Sequence, residues 1–281
     1  MFINVTGWEE DYEKLTTGAR EKVWLKKDGE YYLFKKPNNF GEIYAEYAAY
    51  LVGTKIFGLI IPEVNIARKG KEDGVISKNF INQSNNTQYI EIIDFYGVAF
   101  DRDNLYHYTV ESSLEIVDEF GLLSDFIDMC LFDFIIGNQD RHCENWGILQ
   151  SFDGSITFSP LYDHGSSLFN GYDENQINNM LLDNRQFKAF TNRATTIFTV
   201  QNERRPRVKR LIHYLIENHK IILNECIKKF SLAEYDNIIS TVEGIDHFYM
   251  SSERKRLIAK LICYRVNLLN DWISEGVNSD G

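Results

Sequence analysis

The sequence predicts an α+β fold in two lobes, a small β-rich N-terminal lobe over residues 1–81 and a larger, mainly helical lobe over residues 82–281. Three observations predict it. Strand-like runs separated by turn signals fill the first third, around a single helical segment. Beyond residue 82 the longer apolar patterns recur at helical spacing. Neither an internal repeat nor a linker of flexible composition interrupts the chain, so the change of pattern near residue 82 is the one lobe boundary the sequence marks.

Each element follows from local chemistry. Residues 22–27 alternate loosely, Asp28-Gly29 is a strong two-residue hairpin signal, and residues 30–36 form the returning strand. Residues 37–41, Pro-Asn-Asn-Phe-Gly, break that strand. Residues 42–56 place Tyr44, Tyr47, Ala48, Leu51 and Val52 on one helical stripe. Residues 62–67 and 75–81 read as a third and a fourth strand around a polar turn at 70–74, and residues 82–87 as a polar crossover. Residues 112–120 and 122–136 fit helices separated by Gly121. Short strands at 147–150 and 156–158 flank the tight turn Asp153-Gly154. Residues 207–230 and 253–275 are long amphipathic helical patterns.

Composition narrows the function. The chain is 44% hydrophobic and 14% aromatic over 281 residues, enough apolar mass for a substantial core. Its 30 basic and 41 acidic residues give a net charge of −11, which argues against gripping nucleic acid or an anionic membrane by bulk electrostatics. Arg204, Arg205, Arg207, Lys209 and Arg210 form a local basic cluster, read as the solvated start of a helix. The apolar runs are too short to span a bilayer, and the start Met1-Phe2-Ile3-Asn4 has no secretory pattern. Cys130, Cys143, Cys226 and Cys263 lack Cys-x-x-Cys spacing. They read as free thiols of a reducing compartment, so a cytoplasmic protein is expected.

The richest stretch is Ile136-Gly137-Asn138-Gln139-Asp140-Arg141-His142-Cys143-Glu144-Asn145, a loop after an apolar helix. Asp140 and Asn145 stand five residues apart, the spacing of a kinase catalytic loop. There an aspartate orients the acceptor hydroxyl, and an asparagine offers a neutral oxygen to Mg2+. Eighteen residues beyond Asn145, Asp163 in Leu161-Tyr162-Asp163-His164-Gly165 supplies an anionic oxygen suited to bridging magnesium and nucleotide phosphates. Upstream, Lys35 ends a strand, where its ammonium can pair with the phosphates of ATP and be held by a glutamate of the next helix. Glu46 is the favoured glutamate and Glu42 its rival, as Lys36 is of Lys35. Gly18-Ala19, ahead of the first of these strands, allows backbone N–H groups to approach phosphates. Each piece alone is weak; their order along the chain is that of a kinase.

At these residues the chain resembles the HipA-like serine/threonine kinases, a family of bacterial toxin-type kinases. The match is carried by Gly18-Ala19-Arg20-Glu21-Lys22, Tyr32-Leu33-Phe34-Lys35, the loop 136–145 and Pro160-Leu161-Tyr162-Asp163. The resemblance implies a protein-kinase-like fold that uses ATP and magnesium to phosphorylate a protein. By it Asp140 is the catalytic base, with His142 in the same motif shaping the loop or touching phosphate. Asn145 and Asp163 hold the metal, Lys35 contacts phosphates, and Gly18 and Ala19 belong to the phosphate loop. Phe80 and Ile81 lie near the adenine. The short stretch ahead of Gly18 suggests the form without the extra N-terminal subdomain through which longer members meet an antitoxin, although an antitoxin-type regulator stays among the expected partners. Thr16 and Thr17 replace the serine that several members phosphorylate in themselves. Rival readings are a lipid kinase, a small-molecule phosphotransferase with a similar Asp-x-His-x-x-Asn loop, and a nucleotide-binding module without transfer. The last fits poorly with intact Asp140, Asn145 and Asp163.

Overall fold

The structure, a computed structural model, describes residues 2–12, 21–81, 87–97, 100–101 and 104–278, with side chains as far as residue 275. The first sheet has six strands. These are β1 (Ile3–Asn4), β2 (Glu9–Asp11), β3 (Lys22–Lys27), β4 (Glu30–Lys35), β5 (Val64–Lys69) and β6 (Glu72–Lys78). Their spatial order is β1-β5-β6-β4-β3-β2, with only the β1–β5 pair parallel. Asp28 and Gly29 both take left-handed conformations (φ 51° and 84°), as the hairpin signal requires, and set Lys27 opposite Glu30. One face of the sheet closes over Val5, Leu25, Phe34, Ala67 and Ile76. The other carries Val64, Ile66 and Val75 into the main core against α1 (Gly41–Lys55).

Helix α1 is apolar almost all round, not only on the expected stripe, because it is sandwiched between the sheet and the helical region. Small side chains make this possible. A Cβ on Gly41 would stand 1.9 Å from the Asn170 carbonyl oxygen, and one on Gly53 would stand 2.3 Å from Ile61.

The second sheet joins β7 (Gln88–Glu91) to β8 (Gly147–Gln150) and β9 (Ile156–Phe158), all antiparallel. The helical region contains α2 (Val110–Glu119), α3 (Leu123–Ile136), α4 (Glu174–Leu182), α5 (Asn184–Asn192), α6 (Val208–Phe230), α7 (Tyr235–Glu243) and α8 (Ser252–Asn278). Helix α3 is its axis: every residue from Phe126 to Ile136 is buried, and Gly137 ends it in the left-handed conformation. Among the described residues no helix is long and apolar enough to cross a membrane.

Several expectations are corrected. The third strand starts at Val64 rather than Pro62, since proline has no N–H for the ladder. The turn expected over 70–74 contracts to Gly70-Lys71, so β6 begins at Glu72 and ends at Lys78 instead of Ile81. Gly74 lies in the strand; a Cβ there would stand 2.5 Å from the Lys35 carbonyl oxygen. Strands β1, β2 and β7 and helices α4, α5 and α7 were not expected, being short or mostly polar. The basic cluster is not simply a helix start: α6 opens at Val208, and Arg204, Arg205 and Arg207 precede it in a hairpin. All four cysteines are free thiols, three of them buried.

Candidate active site

The loop after α3 is held by one buried ion pair. Asp133, on the last turn of α3, accepts from Arg141 Nε and Nη2 at 2.8 Å each and from Asn138 Nδ2 at 2.9 Å. Burial works against the Arg141 charge, but Asp133 more than offsets it and holds the guanidinium firmly protonated. Arg141 Nη1 also donates to the carbonyls of Asn145 (3.0 Å) and Tyr162 (2.5 Å), so one side chain binds both candidate metal-holding segments. The Arg141 carbonyl accepts from Tyr108, whose hydroxyl accepts from Trp146 Nε1. Inside this frame Asp140 is exposed, with its N–H on Asn138 Oδ1 at 3.2 Å. The Asn145 amide reaches the Asp140 carbonyl at 3.4 Å. His142 is half-buried, with its N–H on the Asp140 carbonyl and its ring 3.9 Å from the Glu144 carboxylate.

Asp163 follows β9 by a short extended stretch and takes the left-handed conformation itself (φ 62°), two residues ahead of the glycine expected to make the turn. For a residue other than glycine this costs of order 1 kcal/mol, a strain typical of functional sites. Its Oδ1 lies 3.2 Å from Lys35 Nζ, and Glu46 Oε1 lies 3.8 Å from the same ammonium. Glu46 Oε2 accepts from the His164 N–H at 2.9 Å, which ties α1 to the Asp163 turn. The rivals point elsewhere. Glu42 accepts from Asn38 N–H and Asn39 Nδ2 at the start of its own helix. Lys36 pairs with Glu21 and Glu72 near the surface. His164 is fully enclosed; burial keeps its imidazole neutral, well below its usual range, and Arg141 acts in the same direction.

These groups open onto a cleft of about 210 Å³ between the first sheet and the loop segments. Lys35, Asn145, Asp163, Phe80 and Ile81 line it together with Trp24, Leu33 and Tyr162. Phe80 stacks on Tyr162 (centroids 5.7 Å apart), and Tyr89 and Tyr162 share a hydroxyl contact of 2.6 Å. The slot has an apolar end fit for a flat ring and an ionic end fit for phosphates. Asp163 and Asn145 present carboxylate and amide oxygens, the hard donors magnesium prefers. Asp140 does not line the cleft; it stands exposed on the same loop, five residues ahead of Asn145. Gly18 and Ala19, like Thr16 and Thr17, lie outside the described residues.

Sequence reasoning missed Asp133, Trp24, Tyr89 and Tyr162. A carboxylate inside the apolar run 131–136, eight residues ahead of an arginine, is the signal that could have found Asp133. No signal marked the aromatic groups, whose convergence needs both sheets.

Comparison with known proteins places this geometry. The Helicobacter pylori proinflammatory kinase CtkA superposes with a TM-score of 0.80 over 100% of both chains, at 18% identity. HipA of the Shewanella oneidensis toxin–antitoxin system, solved with HipB and operator DNA, superposes with a TM-score of 0.54 over 94% of this chain and 66% of that one, at 12% identity. At such identities the likeness shows the fold, and it is a kinase fold. No curated protein matches by sequence. The family model of the HipA-like C-terminal domain matches residues 15–221, most of the chain. The protein belongs to the HipA-like C-terminal domain family.

Proposed function

We propose that this protein is a kinase that uses ATP and Mg2+ to phosphorylate a serine or threonine hydroxyl of a protein, with residues 1–81 forming the nucleotide-covering lobe and 82–281 the acceptor-side lobe. The observation that carries the reading is the convergence of Lys35, Glu46 and Asp163 on one point, in the cleft that Asn145 also lines. A cation and oxygen ligands drawn from a strand, a helix and two loops are what phosphoryl transfer needs, because its catalysis is positioning plus charge stabilisation.

Each residue has a role in that reading. Lys35 anchors phosphate oxygens, and Glu46 holds Lys35 in place. Asp163 and Asn145 hold magnesium, which when bound neutralises charge on the phosphates. Phe80, Ile81 and Tyr162 flank the base, and Gly18 and Ala19 cover the phosphates. Asp140 takes the hydroxyl proton as the acceptor oxygen bonds to the γ-phosphorus and the bond to the ADP oxygen breaks. His142 shapes the loop through its N–H on the Asp140 carbonyl. The HipB-bound relative makes an antitoxin-type regulator a reasonable partner to seek.

The test is transfer from γ-labelled ATP with magnesium, offering the protein itself, a generic protein, a cell lysate and phosphoinositides, beside D140N. Label on protein that vanishes with D140N supports the reading. Label on lipid alone, or full transfer by D140N, overturns it. Bound ATP with no transfer to anything shifts the reading to a small-molecule transferase or a binding module.

A further inference from the structure

A tight, strained hairpin of residues 195–207 is tethered beside the catalytic loop. Thr195 pairs with Arg207 in a bridge, and Thr196 N–H donates to the Pro206 carbonyl at 3.1 Å. At the tip Val200 and Glu203 exchange both backbone hydrogen bonds (3.0 and 2.9 Å) around Gln201 and Asn202, which are both left-handed (φ 47° and 64°). Arg205 is left-handed too (φ 47°). Such a two-residue turn ordinarily selects Asn-Gly, so Gln201 and Arg205 hold conformations their side chains disfavour. The hairpin persists because it is anchored at three places. Thr199 N–H donates to the Tyr108 carbonyl and Val110 N–H to the Thr199 carbonyl. Gln201 N–H donates to the Glu111 carboxylate at 2.7 Å. Thr195 Oγ1 meets Gln139 Oε1, on the residue next to Asp140, at 3.2 Å.

Its charge is as particular as its shape. Within the basic cluster, Arg210 pairs with Glu203 and Lys209 with Glu275. Arg204 and Arg205 are exposed and have no ion-pair partner among the described residues. Arg207 is exposed as well, and its Nη1 donates to the backbone carbonyl of Arg193. With Glu203 taken up by Arg210, the exposed Arg204, Arg205 and Arg207 leave the 204–207 arm of the hairpin with an excess of positive charge, on a chain of net charge −11.

We propose that this hairpin docks an acidic peptide segment flanking the hydroxyl to be phosphorylated. The inference rests on the kinase reading for the hydroxyl, and on the hairpin alone for the acidic segment. Guanidinium forks match carboxylates in pairs, and the Gln139 contact at Thr195, opposite Arg207, sets the base of the hairpin beside the loop that carries Asp140. A short acidic peptide suits a small basic patch on an acidic protein, whereas a long polyanion such as RNA is repelled by the surrounding surface.

The experiment uses the full chain without ATP and measures fluorescence anisotropy of labelled peptides of equal length, each with a central serine flanked by Glu, Gln or Lys. A single-stranded RNA oligomer of matching charge is the fourth probe. The Glu peptide is expected to bind tightest, with salt weakening it. R204E/R205E is expected to weaken that binding about tenfold and to turn preference toward the Lys peptide. R204Q/R205Q, with an unchanged melting curve, checks that a loss is not misfolding. Equal binding of the three peptides, insensitivity to both double variants, or tighter binding of RNA through the same arginines overturns the proposal. Transfer assays separate the two readings. Charge-dependent peptide binding with no label on serine sinks the kinase reading and leaves the acidic-peptide site. Label on acceptors regardless of flanking charge and of Arg204 and Arg205 sinks the docking site and leaves the kinase.

Discussion

Lys35 Nζ and Asp163 Oδ1 lie 3.2 Å apart although 128 residues separate them. The contact joins the end of β4 to the loop beyond β9, and Glu46 stands 3.8 Å from the same ammonium. K35M is therefore expected to lower transfer about 10²- to 10³-fold, the cost of removing one preorganised charge donor. E46Q keeps an acceptor for the His164 N–H but loses the charge beside Lys35, so its loss is smaller. Steady-state kcat/KM for ATP measures both.

D163N is expected to abolish the magnesium-dependent gain in nucleotide affinity while leaving the cleft's apolar end intact. Calorimetric titration of ATP with and without magnesium checks it: wild type shows two different affinities, D163N one.

Asp133 and Arg141 form a buried pair at 2.8 Å. D133A leaves the guanidinium buried without its carboxylate, and a loss of about 3–5 kcal/mol is expected. For a chain this long that lowers Tm by roughly 10 °C. The apolar double variant D133L/R141M recovers much of the stability but not activity, because the Asn145 and Tyr162 carbonyls also rely on Arg141. Thermal melts beside transfer assays separate the two effects.

Arg254 of α8 ties α1 to the segment beyond Asp163. Its Nη1 donates to Tyr44 Oη (2.6 Å) and the Phe169 carbonyl (3.1 Å), and its Nη2 to the Tyr172 carbonyl and Glu174 (2.7 and 2.8 Å). The Tyr44 hydroxyl donates to the Phe169 carbonyl at 2.8 Å. Y44F is expected to cost about 1–2 kcal/mol. R254K should fare little better than R254M, since an ammonium cannot span four acceptors in a plane. Denaturant melts of the three variants decide it.

Asp73 accepts from Arg68 (2.5 and 3.0 Å) and from Tyr249 (3.2 Å), linking the β5–β6 hairpin to the loop before α8. The Arg68 guanidinium holds the Asp73 carboxyl below its usual value of 3.8. Below 3.8 the unfolded chain binds a proton that the folded one still refuses. The stabilisation is thus complete above pH 3.8 and is lost as pH falls through the lower folded value. D73N should cost under about 1 kcal/mol at neutral pH and progressively less in acid. Urea melts across that range test the sign.

The candidate site's loop residues were legible in the sequence because they are written in short spacings. Asp140 with Asn145, and Asp163 beyond them, occupy loops whose positions follow from the helix before and the strands between. The Asp28-Gly29 hairpin and helix α3 were equally plain, since backbone φ preference and apolar periodicity act over a few residues. Short strands such as β1 and β7 were not legible: their stability comes from partners far along the chain, Ala67 for Ile3 and Ile148 for Ile90.

By itself, then, the sequence determined the order of the chemistry-bearing residues and the kind of element each occupies. The tertiary structure alone decided which groups meet. Lys35 rather than Lys36 turns inward because successive strand residues face opposite sides of the sheet. Glu46 rather than Glu42 reaches Lys35 because Glu42 is turned back onto the Asn38 N–H and the Asn39 side-chain amide, in the segment just ahead of α1. The arginine hairpin became distinct from its helix only once Gln139, Tyr108 and Glu111 were seen to anchor it. Such choices depend on distances between segments brought together by burial, and no local pattern encodes them.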